Sequence, residues 1–88
     1  MSDIAVEPYP VDESVSIIKA TTIYKNKKWW CAVILANMFG HNKVLIYQWQ
    51  FNEQSGRWKR KQKMSINFAK DWDSMKPVIE EYVKEGKI

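Results

Sequence analysis

The chain has 88 residues, of which 45% are hydrophobic, and it carries five Trp, four Tyr, three Phe, one Cys and a formal net charge of +4. This length supports one domain with a modest core, and the aromatic content excludes intrinsic disorder over most of the chain. One cysteine excludes an internal disulfide, and the longest apolar stretch, residues 29–39, is too short to cross a bilayer as a helix. Because the N-terminus lacks a signal-peptide pattern, we expect a soluble intracellular protein of the cytoplasm, nucleoid or nucleus.

The charges are unevenly distributed along the chain. Residues 1–14 hold four acids and no base, whereas residues 15–63 hold ten Lys and Arg against Glu53 alone. A surface with such an excess of positive charge attracts polyanions. The alternative is that these scattered lysines serve only to keep the protein soluble.

The first residues differ in character from the rest. Residues 1–13 contain Pro8 and Pro10 and show no periodicity, which predicts a flexible acidic arm. Residues 14–88 are predicted to form a single nucleic-acid-binding domain, for the reasons that follow.

From Val15 onwards the chain has the composition of β-strands. Four runs are rich in β-branched and aromatic residues: SVSIIKATTIY, KKWWCAVILANMF, KVLIYQWQF and RWKRKQKMSINF. The separators, residues 25–27, 40–42 and 52–56, carry turn-forming residues. Because short separators favour hairpins, we expect a four-stranded antiparallel meander.

A helix is predicted after Phe68, where the apolar period changes. Trp72, Met75, Ile79, Tyr82 and Val83 fall on one side of that helix, and Gly86 is a suitable terminator. Pro77 removes a backbone hydrogen bond, so either the helix bends there, or a short turn over residues 69–74 precedes a helix capped by Ser74.

The predicted fold is therefore α+β, in the order β-β-β-β-α. The helix is expected to cover one face of the sheet and leave the other face open to water or a ligand.

The fourth predicted strand concentrates positive charge. If its side chains alternate, one face holds the basic row, which is Arg57, Lys59, Lys61 and Lys63. The other face holds Trp58, Arg60, Gln62, Met64, Ile66 and Phe68. Four like charges about 7 Å apart repel each other unless they meet an anion, and the phosphates of a nucleic acid have a comparable spacing.

The pairing of the third and fourth strands has two possible registers. If Phe51 pairs with Arg57, then Tyr47 and Trp49 lie among the basic row, where unpaired bases can stack on the rings. A slip of one residue turns Tyr47 and Trp49 into the core and leaves Gln48 and Gln50 beside the basic row. The first register favours base stacking, and the second favours phosphate contact alone.

The sequence offers little for catalysis or metal binding. His41 stands alone in a turn, and Cys31 stands alone within an apolar strand, so neither a metal cluster nor a nucleophile–base pair is predicted. Trp58 and Trp72 are expected mainly to pack, as is at least one of Trp29 and Trp30. We therefore expect a protein that is not an enzyme and needs no cofactor or metal.

One stretch carries a family resemblance, WKRKQKMSINFAKDWDSM at residues 58–75. It resembles the Whirly and positive-cofactor-4 superfamily of single-stranded nucleic-acid-binding transcriptional regulators. In Whirly proteins a tryptophan precedes an Arg-Lys-Gln run and an apolar-Ser-apolar strand end. In the coactivators such a strand end leads to a helix with an early tryptophan. Trp58, Arg60-Lys61-Gln62, Met64-Ser65-Ile66 and Trp72 stand in these places. The resemblance implies a homodimer through the C-terminal helix, with Arg60, Lys61 and Trp72 as candidate contacts.

The expected function is sequence-independent binding of single-stranded DNA, with a possible role as a transcription coactivator or in DNA maintenance. The expected partners include no membrane and no small-molecule substrate. The alternatives are an RNA-binding protein and a protein-interaction module with an acidic partner, for which the acidic arm could compete. The candidate nucleic-acid-binding residues are Lys25, Lys27, Lys28, Lys43, Tyr47, Trp49, Arg57, Lys59, Arg60, Lys61, Lys63 and Trp72.

Overall fold

The structure is a computed structural model, and it describes residues 8–88. Four strands, β1 (Ser16–Lys25), β2 (Trp29–Met38), β3 (His41–Asn52) and β4 (Arg57–Ile66), precede one helix, α1 (Ala69–Glu85). Each strand pairs with the next in an antiparallel sheet of order β1-β2-β3-β4. The predicted β-β-β-β-α meander is confirmed.

The two faces of the sheet differ in burial. In β2 and β3 buried and half-buried side chains alternate, as expected when one face of a sheet is covered. We call the covered side the aromatic face, because it carries Trp30, Tyr47 and Trp49. We call the other side the groove face; its half-buried apolar residues are Val33, Leu35, Val44 and Ile46.

Among the described residues, the N-terminal cover of the aromatic face is residues 8–15, which we call the cover segment. Val15 is buried in the core, and Tyr9 and Val11 pack against it. Residues 8–13 of the predicted flexible arm are therefore an aperiodic segment that packs against the sheet through apolar side chains. The flexibility of the arm stays a prediction. Residues 1–7 of that arm lie outside the described residues.

The helix does not cover the sheet, contrary to the prediction. None of its residues is buried, and β4 is the only strand whose backbone it approaches closely within residues 8–88. It is one helix that runs through Pro77 and ends before Gly86, so the predicted break with a Ser74 cap is wrong. Within residues 8–88, no helix has the length and apolar character needed to span a bilayer.

Local hydrogen bonds form the three hairpin turns. Asn26 Oδ1 accepts from the backbone N–H groups of Lys28 and Trp29 at 2.9 and 2.8 Å, and Asn52 Oδ1 accepts from that of Ser55 at 2.9 Å. These two turns, the first and the third, lie at the predicted separators. The middle turn is displaced, because Phe39 and Gly40 form it, with φ of 55° and 79°. Residues 41 and 42 therefore begin β3.

His41 is exposed to solvent, but it does not lie in the turn in which the sequence placed it. It is the first residue of β3, and its Nε2 lies 3.1 Å from the Asn67 carbonyl oxygen. Its ring also contacts that of Phe68, with 5.5 Å between the centroids. These contacts tie the start of β3 to the connection between β4 and α1.

The middle turn generates a stability prediction. Phe39 occupies the left-handed region although its side chain is 89% exposed, so its ring gains little packing there. Asn tolerates this conformation and is preferred before Gly in such turns. We expect Phe39→Asn to raise the free energy of unfolding by about 1 kcal/mol in urea denaturation. Phe39→Ala, which lacks this preference, is the control, and an equal gain in both variants would contradict the explanation.

Candidate nucleic-acid interface

The pairing of β3 with β4 determines which cations lie beside the aromatic residues. Near the turn Phe51 pairs with Trp58 and Trp49 pairs with Arg60. Lys61 is an extra residue in β4, a β-bulge, so the next pair on this face is Tyr47 with Lys63. The first predicted register, Phe51 with Arg57, is therefore wrong, and the second holds only between the turn and the bulge.

The predicted basic row is also wrong, because the bulge breaks it. Arg57 and Lys59 pair with Asn52 and Gln50 and lie on the groove face, whereas Lys63 pairs with Tyr47 on the aromatic face. The physical reason is that β4 contributes apolar side chains to both faces of the sheet. Trp58 packs with the aromatic core, whereas Ile66 pairs with Val44 on the groove face, and an unbroken strand would put both on one face.

Four rings form a continuous cluster on the aromatic face. The rings of Tyr47 and Trp49 are stacked, with centroids 5.0 Å apart and planes within 7°. Trp30 lies 5.1 Å from Trp49 and 5.4 Å from Trp58, the latter edge to face. Because Trp30, Tyr47 and Trp49 are buried, these rings are the core of the domain as well as candidate stacking surfaces.

Cations from two strands, β1 and β4, lie over or beside these rings. Lys25 Nζ is 3.9 Å from the ring centroid of Trp30, and Lys63 Nζ is 5.8 Å from that of Tyr47. Arg60 pairs with Trp49 across the strands. The aromatic face therefore interleaves positive charges with rings, which is the combination that holds single strands.

The cover segment lies on this same surface. The Tyr9 ring centroid is 5.1 Å from that of Trp30 and 6.2 Å from that of Trp49. The Tyr9 hydroxyl is 2.8 Å from Thr22 Oγ1, which also accepts a 3.1 Å hydrogen bond from Trp30 Nε1. Tyr9 is thus both stacked and hydrogen-bonded.

An acidic side chain of the cover segment faces the cations. Asp12 lines a surface cleft together with Tyr47, Arg60 and Lys63. Hydrogen bonds from Ser14 lower the pKa of the Asp12 carboxyl, and Lys63 and Arg60 lower it further. Burial raises the pKa of the Tyr47 hydroxyl, and the charge of Arg60 partly opposes that rise. At neutral pH the cleft therefore holds an ionised carboxylate opposite two cations.

One buried donor on this face has no hydrogen-bond partner among residues 8–88. Trp49 Nε1 has no hydrogen-bond acceptor within the described part of the chain, although its side chain is fully buried. A buried N–H group without an acceptor is costly, because water no longer solvates it. With the cover segment packed on the aromatic face, the Trp49 N–H group is therefore buried without a hydrogen bond to any described residue.

The other predicted site residues lie elsewhere. Lys27 and Lys28 are in the β1–β2 turn, near the start of β4, and Lys61 is the exposed bulge residue. Lys43 and Trp72 are at the opposite end of the sheet, where they line an apolar groove of about 570 Å³ between the groove face and the start of α1. Of these residues, Lys61 lines a cleft that also includes Tyr47 and Lys63, whereas Lys43 and Trp72 lie away from the ring cluster.

Sequence reasoning missed three residues of this surface. Trp30, Tyr9 and Asp12 were not among the candidate site residues, although each lies at the ring cluster or its cations. The sequence contains one signal that this segment packs on the sheet. Tyr9 and Val11 are apolar residues within an otherwise acidic, proline-containing stretch. Within residues 8–88, no group of three or more His, Cys, Asp or Glu could hold a metal ion.

Comparison of the chain with protein families, with curated proteins and with solved structures found no match. The resemblance of residues 58–75 to the Whirly and positive-cofactor-4 superfamily therefore stays a prediction.

The unpaired donor generates a prediction from two matched substitutions. Trp30→Phe and Trp49→Phe remove the same atoms from neighbouring core positions, but only Trp30 loses a hydrogen bond and a close lysine contact. We expect Trp30→Phe to lower the free energy of unfolding by about 1 kcal/mol more than Trp49→Phe. Chemical denaturation followed by circular dichroism measures both, and a larger loss in Trp49→Phe would contradict the assignment.

Proposed function

We propose that this protein binds single-stranded nucleic acid without sequence preference through its aromatic face. The observation that supports this best is the alternation of Lys25, Arg60 and Lys63 with the ring cluster. Lysine and arginine neutralise phosphates and release counterions, and aromatic rings stack with any base. Both contributions are independent of sequence.

The same chemistry favours single strands over a duplex. In a duplex the flat faces of the bases are stacked on each other, so protein rings cannot reach them without unstacking. A single strand can present its bases to the rings while its phosphates remain at the cations.

We take DNA as the first ligand and RNA as its alternative. No feature of the aromatic face is assigned to a 2′-hydroxyl, the group by which proteins tell RNA from DNA. A non-enzymatic role in transcription, as a coactivator, or in DNA maintenance follows from such binding.

A second candidate function is binding of an acidic protein partner. The observation that favours it is the cover segment itself, which places Asp12 opposite Arg60 and Lys63. An acidic peptide from another chain could use the same cleft. It would compete with nucleic acid, and its affinity would show a similar dependence on salt.

We also propose that a second copy of the chain covers the groove face and α1. The helix is 17 residues long, about 25 Å. Its large apolar side chains remain exposed, and they are Trp72, Val78, Ile79, Tyr82 and Val83. The apolar groove beside Trp72 is also open. A twofold dimer pairs the same surface patch on both copies, so a helix and a groove on each chain can bury one another.

Two lysines in β4 provide a matched test of the proposed interface. Lys63 lies on the aromatic face and Lys59 on the groove face, and both are exposed. We expect Lys63→Ala to weaken binding to a labelled oligo-dT several-fold and Lys59→Ala to leave it nearly unchanged. The slope of log K against log salt concentration should become less negative by about 0.7 for Lys63→Ala, which is the value for one lost phosphate contact.

Fluorescence anisotropy at several salt concentrations measures these effects, with a duplex of equal length as competitor. Equal losses for the two variants, or equal affinity for the duplex, would count against the aromatic face as a single-strand site.

The proposed dimer is tested by charge placed on the helix. We expect Ile79→Lys combined with Val83→Lys to convert a dimer into a monomer in analytical ultracentrifugation, because burying two ammonium groups is costly. Glu81→Lys, on the polar side of the same helix, should remain dimeric. A wild-type protein that is monomeric at tens of micromolar would refute the proposed dimer.

A further inference from the structure

The cover segment occupies the surface that we propose for nucleic acid. Its Tyr9 ring lies against Trp30 and near Trp49, where a base would stack. Its Asp12 carboxylate lines the cleft of Arg60 and Lys63, where a phosphate would bind. A planar ring and an anion thus occur together on one short segment.

We propose that residues 8–12 imitate a stretch of nucleic acid, with Tyr9 in the place of a base and Asp12 in the place of a phosphate, and that this segment must lift for nucleic acid to bind. The inference rests on the proposed function and assigns both the position of the site and its regulation. The two residues are three positions apart, a backbone span of at most about 10 Å, which corresponds to roughly two or three stacked nucleotides.

The attachment of the segment suits a cover that can open. Within residues 8–88, its backbone hydrogen bonds are internal, from Val11 N–H to the Tyr9 carbonyl at 2.9 Å and from Val15 N–H to the Asp12 carbonyl at 3.0 Å. Among the described residues, no strand pairing with the sheet has to break, and the hydrogen bond to the sheet that does is that of the Tyr9 hydroxyl with Thr22 Oγ1. Val15 is buried next to β1 and can stay in place while residues 8–12 lift.

The closed state also leaves a donor for a ligand to satisfy. Trp49 Nε1 is without an acceptor among the described residues, and the Trp49 ring centroid is 6.2 Å from that of Tyr9. A phosphate oxygen or a base carbonyl could accept from it once the cover has lifted. Nucleic acid therefore gains a contact that the cover segment does not make.

The consequence is an apparent affinity that depends on the fraction of open molecules. When the competent state is partly populated, the measured dissociation constant equals the intrinsic one divided by that fraction. Substitutions that weaken the closed state without touching the sheet should therefore tighten binding.

The first test uses two acids that differ in where they lie. Asp12→Asn keeps an oxygen for the Ser14 N–H but removes the charge that faces Arg60 and Lys63. Glu13→Gln makes the same change in net charge, but Glu13 does not line that cleft. We expect Asp12→Asn to bind oligo-dT about two- to five-fold more tightly than wild type and clearly more tightly than Glu13→Gln. Tyr9→Ala should tighten binding further if the variant remains folded.

The second test uses the wild-type chain and does not depend on any variant. Amide hydrogen exchange of Val11 and of the β2 backbone should be compared with and without saturating oligo-dT. The Val11 N–H is bonded within the segment and is shielded by packing against the core, so lifting should expose it to water. Faster exchange at Val11, with the β2 amides still protected, supports lifting of residues 8–12.

The outcomes separate the two proposals. Oligo-dT binding that is unchanged or weaker in Asp12→Asn, with Val11 still protected in the complex, overturns the inference and leaves single-strand binding intact. If wild type, Asp12→Asn and Tyr9→Ala all fail to bind oligo-dT while remaining folded, the proposed function fails, and the inference fails with it.

Discussion

The extra residue Lys61 in β4 is the constraint on which both sheet faces depend. Trp58 packs with the rings of one face, and Ile66 pairs with Val44 on the other, yet the two residues are an even number of positions apart. A regular strand would put them on the same side, so the chain inserts one residue between them. The insertion also moves Lys63 to the aromatic face, where it joins Arg60.

The core of the domain is therefore built on the face that carries the candidate interface. Trp30, Tyr47 and Trp49 cannot be left in water without loss of stability, so something must cover them. A helix would provide a cover that cannot easily be removed, and α1 lies elsewhere. The cover segment instead buries the rings with a few side chains and with no strand pairing among the described residues, so closing the core and blocking the proposed site are one interaction.

The parts of the fold that could be predicted are those that local chemistry determines. Strand composition and the amide side chains of Asn26 and Asn52 mark the hairpins, and the period of 3.6 marks α1. The bulge at Lys61 could not be predicted, because an alternating pattern is compatible with either register and the choice depends on packing on both faces at once. The position of Tyr9 was missed for the same reason, since an aperiodic segment gains its order from tertiary contacts alone.

The opposite positions of the two faces have a consequence for the proposed dimer. A second copy on the groove face and α1 contacts the side of the sheet that faces away from Tyr9, so it does not hinder the cover segment from lifting. The cations beside the ring cluster among the described residues are Lys25, Arg60 and Lys63, and so small a number would hold a single strand weakly. Two such faces on one dimer raise the effective concentration of the second site for a strand already bound at the first. In the proposed mechanism, assembly supplies the affinity that one small face lacks, and the cover segment controls access to each face separately.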